Sequence, residues 1–419
     1  MASGLPRFAV FAAVLSAAGL PIYIHAPRFY VDSYGVTLGQ LSLVLFALRL
    51  LDVVQDPLLG RLVEATRARR ATTVWIAGAA MAGAMAMLFA VPPRLPPVVW
   101  FAVSLTLLFS AFSFLTIAFY AQGVAKAATL PRTRGDRGPR DGHVRLAAWR
   151  ETGALLGVCL AAALPTALAG TGAPFALYAA AFAVAVAAAL IVMAPEWGGG
   201  AANGAPDATT VGLRPILGDR TARRLLILAL VNATPVAVTS TLFVFFVVDR
   251  LRAPGLEGPL LILFFLCAAG AAPLWGRLAH RLGAKRALMS AMVLAIAAFA
   301  FALSLGPGDT LAFAAICAAT GAAAGADLTL LPAMFARRLQ TVAPSAADGF
   351  GLWSFVNKAT LAFAAIALFP PLEAAGLRTG ADSAAAALTL LSLLYAGLPL
   401  ALKAIALALL WRLRLDEDP

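Results

Sequence analysis

The chain is short of charge, of cysteine and of histidine, and each shortage closes off a class of function. Only 12% of its 419 residues are charged, about half the share of an ordinary soluble domain. Its three cysteines, Cys159, Cys267 and Cys317, all fall in apolar stretches. An odd count placed this way argues against a disulfide framework and against a metal site. Three histidines, His25, His143 and His280, stand far apart, the last two beside basic loops where surface positions are expected. No cleavable signal peptide is expected, because the first apolar stretch is long and lacks a small-residue cleavage site.

What the chain has in excess is hydrocarbon. Sixty-two per cent of its residues are hydrophobic and the mean hydropathy is +0.88. At roughly 20 apolar residues per span there is room for about twelve membrane helices with short connections. Spans are expected at 8–31, 38–62, 73–92, 97–125, 146–168, 173–194, 224–248, 257–281, 286–305, 309–335, 349–372 and 383–411. The expected fold class is therefore all-α and polytopic. The net charge of +12 is scattered over short loops, so it is no nucleic-acid footprint. The 126–145 loop, rich in arginine, reads as a solvated positive-inside loop.

Residues 196–222, with Gly198-Gly199-Gly200 and Asn203-Gly204, form a polar break. They read as a cytoplasmic linker between six-helix halves at 1–195 and 223–419. Basic residues collect in alternate loops, which places both termini on the cytoplasmic side. The halves also repeat one another. Pro57-Leu58-Leu59-Gly60-Arg61-Leu62 returns as Pro273-Leu274-Trp275-Gly276-Arg277-Leu278, and Asp32 is matched by Asp249, each about 216 residues later. That is the pattern of a duplicated unit.

The stretch richest in possible chemistry is Arg49-Leu50-Leu51-Asp52-Val53-Val54-Gln55-Asp56-Pro57, inside the second span. Asp52 and Asp56 are four residues apart and share a helix face. Arg49 lies one turn before Asp52, and Gln55 three residues beyond it. Two carboxylates at bilayer depth are costly and must face a cavity or a partner. Carboxylate oxygens can replace the hydration shell of a small cation, and two close carboxylates can also hold a proton. The alternative is an Arg49–Asp52 ion pair that only fixes packing.

Twelve spans, two similar halves and a Gly-x-x-x-acidic loop after the second span resemble the major facilitator superfamily. Within it, Arg49-x-x-Asp52-x-x-x-Asp56-Pro57-x-x-Gly60 is similar to the second-helix signature of the glycoside–pentoside–hexuronide cation symporters. The resemblance implies that Asp52 and Asp56 bind Na⁺ or H⁺, with Gln55 and Ser113 beside them. It implies substrate contact for Arg150, and a basic partner for the acids at Lys358, inside Trp353-Ser354-Phe355-Val356-Asn357-Lys358. Glu151 follows Arg150, but neighbours on a helix point about 100° apart, so the two are not expected to pair. Asp327, after Gly325 and before Pro332, is expected to line the second half's side of a cavity or close a gate. Lys403 is expected in a structural or lipid contact. Gly60 and Glu64 match the superfamily's cytoplasmic latch. Gly276 repeats the glycine, but His280 replaces the acid.

The chain departs from the family where sugar is gripped. Ser16 and Thr116 stand where the sugar permeases carry carboxylates, and Tyr120 where an aromatic stacks on the sugar. Strong acceptors for hydroxyl groups are thus lost, which leaves an apolar or anionic substrate open. The expected function is cation-coupled symport of a small solute by alternating access in a bacterial inner membrane. The partners are that solute, the coupling cation and the lipid bilayer, with no nucleic acid. The chain is expected to be a monomer, to need no cofactor and to be no enzyme. Two alternatives remain: a polytopic enzyme acting on lipid-linked substrates, and a non-transporting sensor or scaffold with the same fold.

Overall fold

A computed structural model of the chain describes residues 4–130, 141–168, 170–197, 213–342, 346–375 and 385–413. Of the expected linker at 196–222, residues 198–212 fall outside them. Helices account for nearly all the described residues: α1 (Leu5–Ala17), α2 (Leu20–Tyr34), α3 (Leu38–Ala65), α4 (Arg70–Phe89), α5 (Pro97–Thr129), α6 (Asp141–Ala167) and α7 (Pro174–Trp197). They continue as α8 (Arg214–Gly218), α9 (Arg220–Phe245), α10 (Glu257–Leu282), α11 (Ala284–Ala300), α12 (Thr310–Val342), α13 (Ala346–Ala374), α14 (Ala385–Ser392) and α15 (Leu398–Arg412). Among the described residues, nine helices are long and apolar enough to cross a membrane. The chain is an integral multi-pass protein.

One expected span is broken. The 8–31 segment forms two helices, α1 and α2, that part at Ala18 and Gly19. The cause is local: Pro21 lacks the N–H that would continue α1, and it suits the first turn of a new helix.

The chain divides into two compact units, 1–216 with 339–355 and 217–338 with 356–419. The first residues of α13 therefore belong with the first unit and the rest with the second.

In the first unit α1 packs along α6 and α7, while α5 packs against α3, α4 and α6. Small residues make the α1–α6 contact possible. A Cβ on Gly153 or Gly157 of α6 would stand 2.1 Å from the carbonyl oxygen of Ala9 or Ala13. Hydrocarbon lipid gives helices no reason to associate by exclusion from water, so such backbone proximity carries the attraction. At one end Glu196 of α7 pairs with Arg7 at 3.0 Å and Lys126 at 2.8 Å, tying α1 and α5 to the end of α7.

The second unit has its own core. Two π-helical turns, Phe246–Arg250 after α9 and Leu393–Gly397 between α14 and α15, widen their helices by one residue. Phe246 and Tyr395, one on each turn, stack at 4.1 Å beside buried Phe313. Glycine again brings two helices together: Cβ atoms on Gly321 and Gly325 of α12 would meet backbone atoms of Phe264 and Ala268 in α10.

Candidate functional site

Helix α3 begins with a capping box. Thr37 Oγ1 accepts from the Gln40 amide and Gln40 Oε1 accepts from the Thr37 amide, both at 3.3 Å. Pro57 sits inside the helix and leaves the Val53 carbonyl without its helical donor. Just before it lie the two acids, Asp52 at 3% exposure and Asp56 at 0%.

Each acid is tied to a neighbour. Gln55 Nε2 donates to Asp52 Oδ1 at 2.8 Å, and Gln55 Oε1 accepts from Ser110 Oγ of α5 at 3.0 Å. Ser354 Oγ of α13 donates to Asp56 Oδ2 at 2.5 Å. Ser113 is buried one turn beyond Ser110 on α5. The arrangement gathers carboxylate, amide and hydroxyl oxygens inside the first unit, the donor set that suits a small monovalent cation or a proton. The proposed partner Arg49 has its side chain outside the described residues. Ser110 and Ser354 were not singled out from the sequence. Ser110 stands at helical spacing from Ser113, and Ser354 lies within the motif that carries Lys358.

Behind Asp56, α3 and α13 touch through glycine. A Cβ on Gly351 would stand 3.0 Å from the Asp56 carbonyl oxygen and 3.3 Å from Gly60 Cα. A Cβ on Gly60 would stand 3.0 Å from the Ala347 carbonyl oxygen. One turn on, Glu64 pairs with Arg67 at 3.6 Å. A cavity of about 230 Å³ opens beside them, with Arg70 and Gln340 also on its wall. Asp348 is 4% exposed and its Oδ1 has no hydrogen-bond partner. Burial, then the charge of Glu64, raise the Asp348 carboxyl above the usual range, and Arg61 only partly offsets them.

A second cluster lies elsewhere in the first unit, and it corrects one expectation. Arg150 and Glu151 do pair: Nε donates to Glu151 Oε1 at 2.8 Å, with both side chains buried. The long guanidinium arm spans the angle between adjacent helical positions by curling over Tyr120, whose ring centroid lies 3.8 Å from Arg150 Cζ. Tyr120 donates to the same Glu151 oxygen at 3.3 Å and packs on Phe350. Tyr120 thus lies face-on against the guanidinium of this chain's own Arg150. Arg150 Nη2 and the Thr116 hydroxyl, one turn from Tyr120, are buried with no hydrogen-bond partner. Ser16 lies in the last turn of α1, where its carbonyl accepts from the Gly19 amide.

His143 is also corrected. It is buried, with Nε2 2.9 Å from Gln340 Oε1, because the start of α6 packs inside the first unit.

In the second unit Lys358 is half-buried on α13 and Gly276 is buried on α10. Of the two contacts expected for Lys403, structural or lipid, the structure shows an internal one. Lys403 is 7% exposed, donates to Asn232 Oδ1 at 2.7 Å and pairs with Asp327 Oδ2. The sequence shows an isolated lysine on a terminal helix; packing of α15 against α9 turns it inward. Thr234, Thr239 and Thr241 spend their hydroxyls on carbonyls of their own helix, which is how hydroxyls in apolar helices satisfy themselves. Among the described residues no three His, Cys, Asp or Glu side chains converge as metal ligands.

Three comparisons place the chain among known proteins. A family model described as MFS/sugar transport protein matches residues 7–417. No curated protein matches the chain. A solved structure of a bacterial homologue of the iron transporter ferroportin, in an outward-facing state, superposes with a TM-score of 0.72 at 14% identity, covering 98% of this chain and 99% of that one. The E. coli fucose:proton symporter superposes with a TM-score of 0.64 at 12% identity, covering 97% and 98%. At such identities the likeness is one of fold.

Proposed function

The chain belongs to the MFS/sugar transport protein family and has the major facilitator fold, and we propose that it is a cation-coupled symporter of a small polar or anionic solute. It sits in a bacterial inner membrane with both termini in the cytoplasm, and it works by alternating access. The observation that carries this reading is the buried Asp52–Asp56 pair with its Gln55, Ser110 and Ser354 partners. Packing needs no carboxylate there, let alone two; a cation that enters and leaves does.

Sodium and the proton both suit the donor set. The fucose:proton symporter of like fold adds weight to the proton. On the solute side, Arg150 Nη2 and Thr116 Oγ1 are buried polar atoms that await partners, and Tyr120 and Glu151 hold the guanidinium in place for them. A solute that offers an acceptor, a carboxylate or a hydroxyl oxygen, satisfies the free N–H. Cation and solute stabilise one loaded form, so each raises the other's affinity by the same factor.

The test is uptake into proteoliposomes of a panel of sugars, sugar acids and small carboxylates, under an inward sodium gradient, an inward proton gradient or neither. The account expects accumulation of at least one solute driven by one gradient, abolished by Asp56→Asn and by Arg150→Gln. Accumulation that ignores both gradients, or survives Asp56→Asn, refutes coupling through this pair.

A further inference from the structure

The second unit holds a buried ion pair that the symport reading leaves unused. Lys403 from α15 reaches two oxygens on two other helices, Asn232 Oδ1 on α9 and Asp327 Oδ2 on α12. All three residues stand well inside their helices, away from the last turns. The lysine therefore does not run its ammonium out to an interface, as long basic side chains near helix ends do. Two of its three N–H groups have partners. The other Asp327 oxygen, Oδ1, is buried and accepts no hydrogen bond. Three oxygens from α9 and α12 thus surround a positive charge, and their capacity exceeds what the ammonium uses.

We propose that Asp327 and Asn232 form a monovalent-cation cage whose occupant is the chain's own tethered ammonium, Lys403. A charge delivered by a covalent arm has a high effective concentration and needs no ion from solution. It fills the place that a free sodium or ammonium ion would otherwise take, so the wild-type second unit takes up no ion here. Together with the reading of Asp52 and Asp56 as the coupling pair, on which only this clause rests, one ion accompanies each cycle. Without the amine, Asp327 is a buried carboxylate lacking its counter-charge, an arrangement of high cost. A small cation then relieves that cost, with water in the space left by the stem beyond Cβ completing its shell.

The experiment uses the full chain in detergent and reads the thermal midpoint as NaCl or methylammonium chloride replaces choline chloride at constant ionic strength. Ligands that bind the folded state raise the midpoint saturably. The background is Asp56→Asn, which removes the first unit's pair. D56N alone is expected to show no response to either cation. Adding Lys403→Ala is expected to give a saturable rise with sodium or methylammonium, and adding Asp327→Asn to the double variant is expected to abolish it.

Indifference of D56N/K403A to both cations overturns the proposal, and so does a response that persists with Asp327→Asn. A change confined to proton uptake, with no cation response, also overturns it. If D56N alone still responds to sodium, the reading of the first unit fails, while the difference between D56N and D56N/K403A still decides the cage. Where K403A accumulates poorly, recovery of yield by NaCl or methylammonium over choline gives the same answer. Failure under every cation, beside normal accumulation of the charge-neutral Lys403→Met/Asp327→Asn pair, overturns it.

Discussion

Replacing Gly351 tests whether the α3–α13 contact holds the cation pair in place. A methyl group there meets the Asp56 carbonyl oxygen at 3.0 Å and Gly60 Cα at 3.3 Å. Both are backbone atoms of α3, so nothing flexible can turn aside. Overpacking of this kind costs about 1–3 kcal/mol, with alanine at the lower end and valine at the upper. A contact weakened by that much opens roughly 5- to 150-fold more often. Amide exchange over Gly60–Glu64 and Asp348–Ser354 reads the opening directly, because exchange follows local unfolding. Gly351→Ala should speed it about 5-fold and Gly351→Val far more, with a matching loss of cation affinity as Ser354 leaves Asp56. Gly83 has no atom within 4 Å of its notional Cβ, so Gly83→Ala is the control. Wild-type exchange in Gly351→Val, or equal acceleration in Gly83→Ala, refutes the reasoning.

Other expectations follow from the same contacts. Asp348 titrates above the usual carboxylate range because it is buried beside Glu64. A raised folded-state value means that its stabilising contribution is full below the ordinary carboxylate range and is lost as pH rises through the raised value. Asp348→Asn should therefore protect Asp348–Ser354 from exchange better than wild type at neutral pH, and no better under acid. In the second unit Asp219 caps α9 through the Ala222 amide at 2.7 Å and takes a two-pronged bond from Arg338 at 2.9 and 2.6 Å. Those bonds, first among them the one from Arg338, hold its carboxyl below the usual range, so this stabilisation is present at neutral pH and lost as pH falls. Asp219→Ala should cost about 1–2 kcal/mol in thermal unfolding, and Asp219→Asn, which keeps the cap, clearly less. Glu151→Gln strips the buried Arg150 of its counter-charge and should destabilise the first unit by about 3–5 kcal/mol, with much of that recovered in the Arg150→Gln/Glu151→Gln pair.

The architecture was legible because membrane helices announce themselves as long apolar runs, and because Pro57-x-x-Gly60 recurs at Pro273-x-x-Gly276. The acid pair was legible for a related reason: charge at bilayer depth is rare, so Asp52 and Asp56 stand out in Leu41–Gly60. What sequence withheld were partners from distant segments. Ser354 and Asp56 are 298 positions apart, and nothing local shows that a serine donates to that acid. Lys403 sits on a terminal helix, and only the packing of α15 on α9 and the position of Asp327 on α12 turn it inward. Helical geometry alone sets Arg150 and Glu151 apart, because it fixes where Cβ atoms point but not how far an arginine reaches. The break at Gly19 is marked in the sequence only by Pro21, within an apolar run long enough for one span.

The central claim, that Asp52 and Asp56 bind the coupling cation, is tested most directly by calorimetry on purified protein at several pH values, beside Asp52→Asn and Asp56→Asn. The account predicts saturable sodium heat, or a sodium-independent proton release, in the wild type and its loss in both variants. Neither signal in wild type, or one that survives both substitutions, contradicts it.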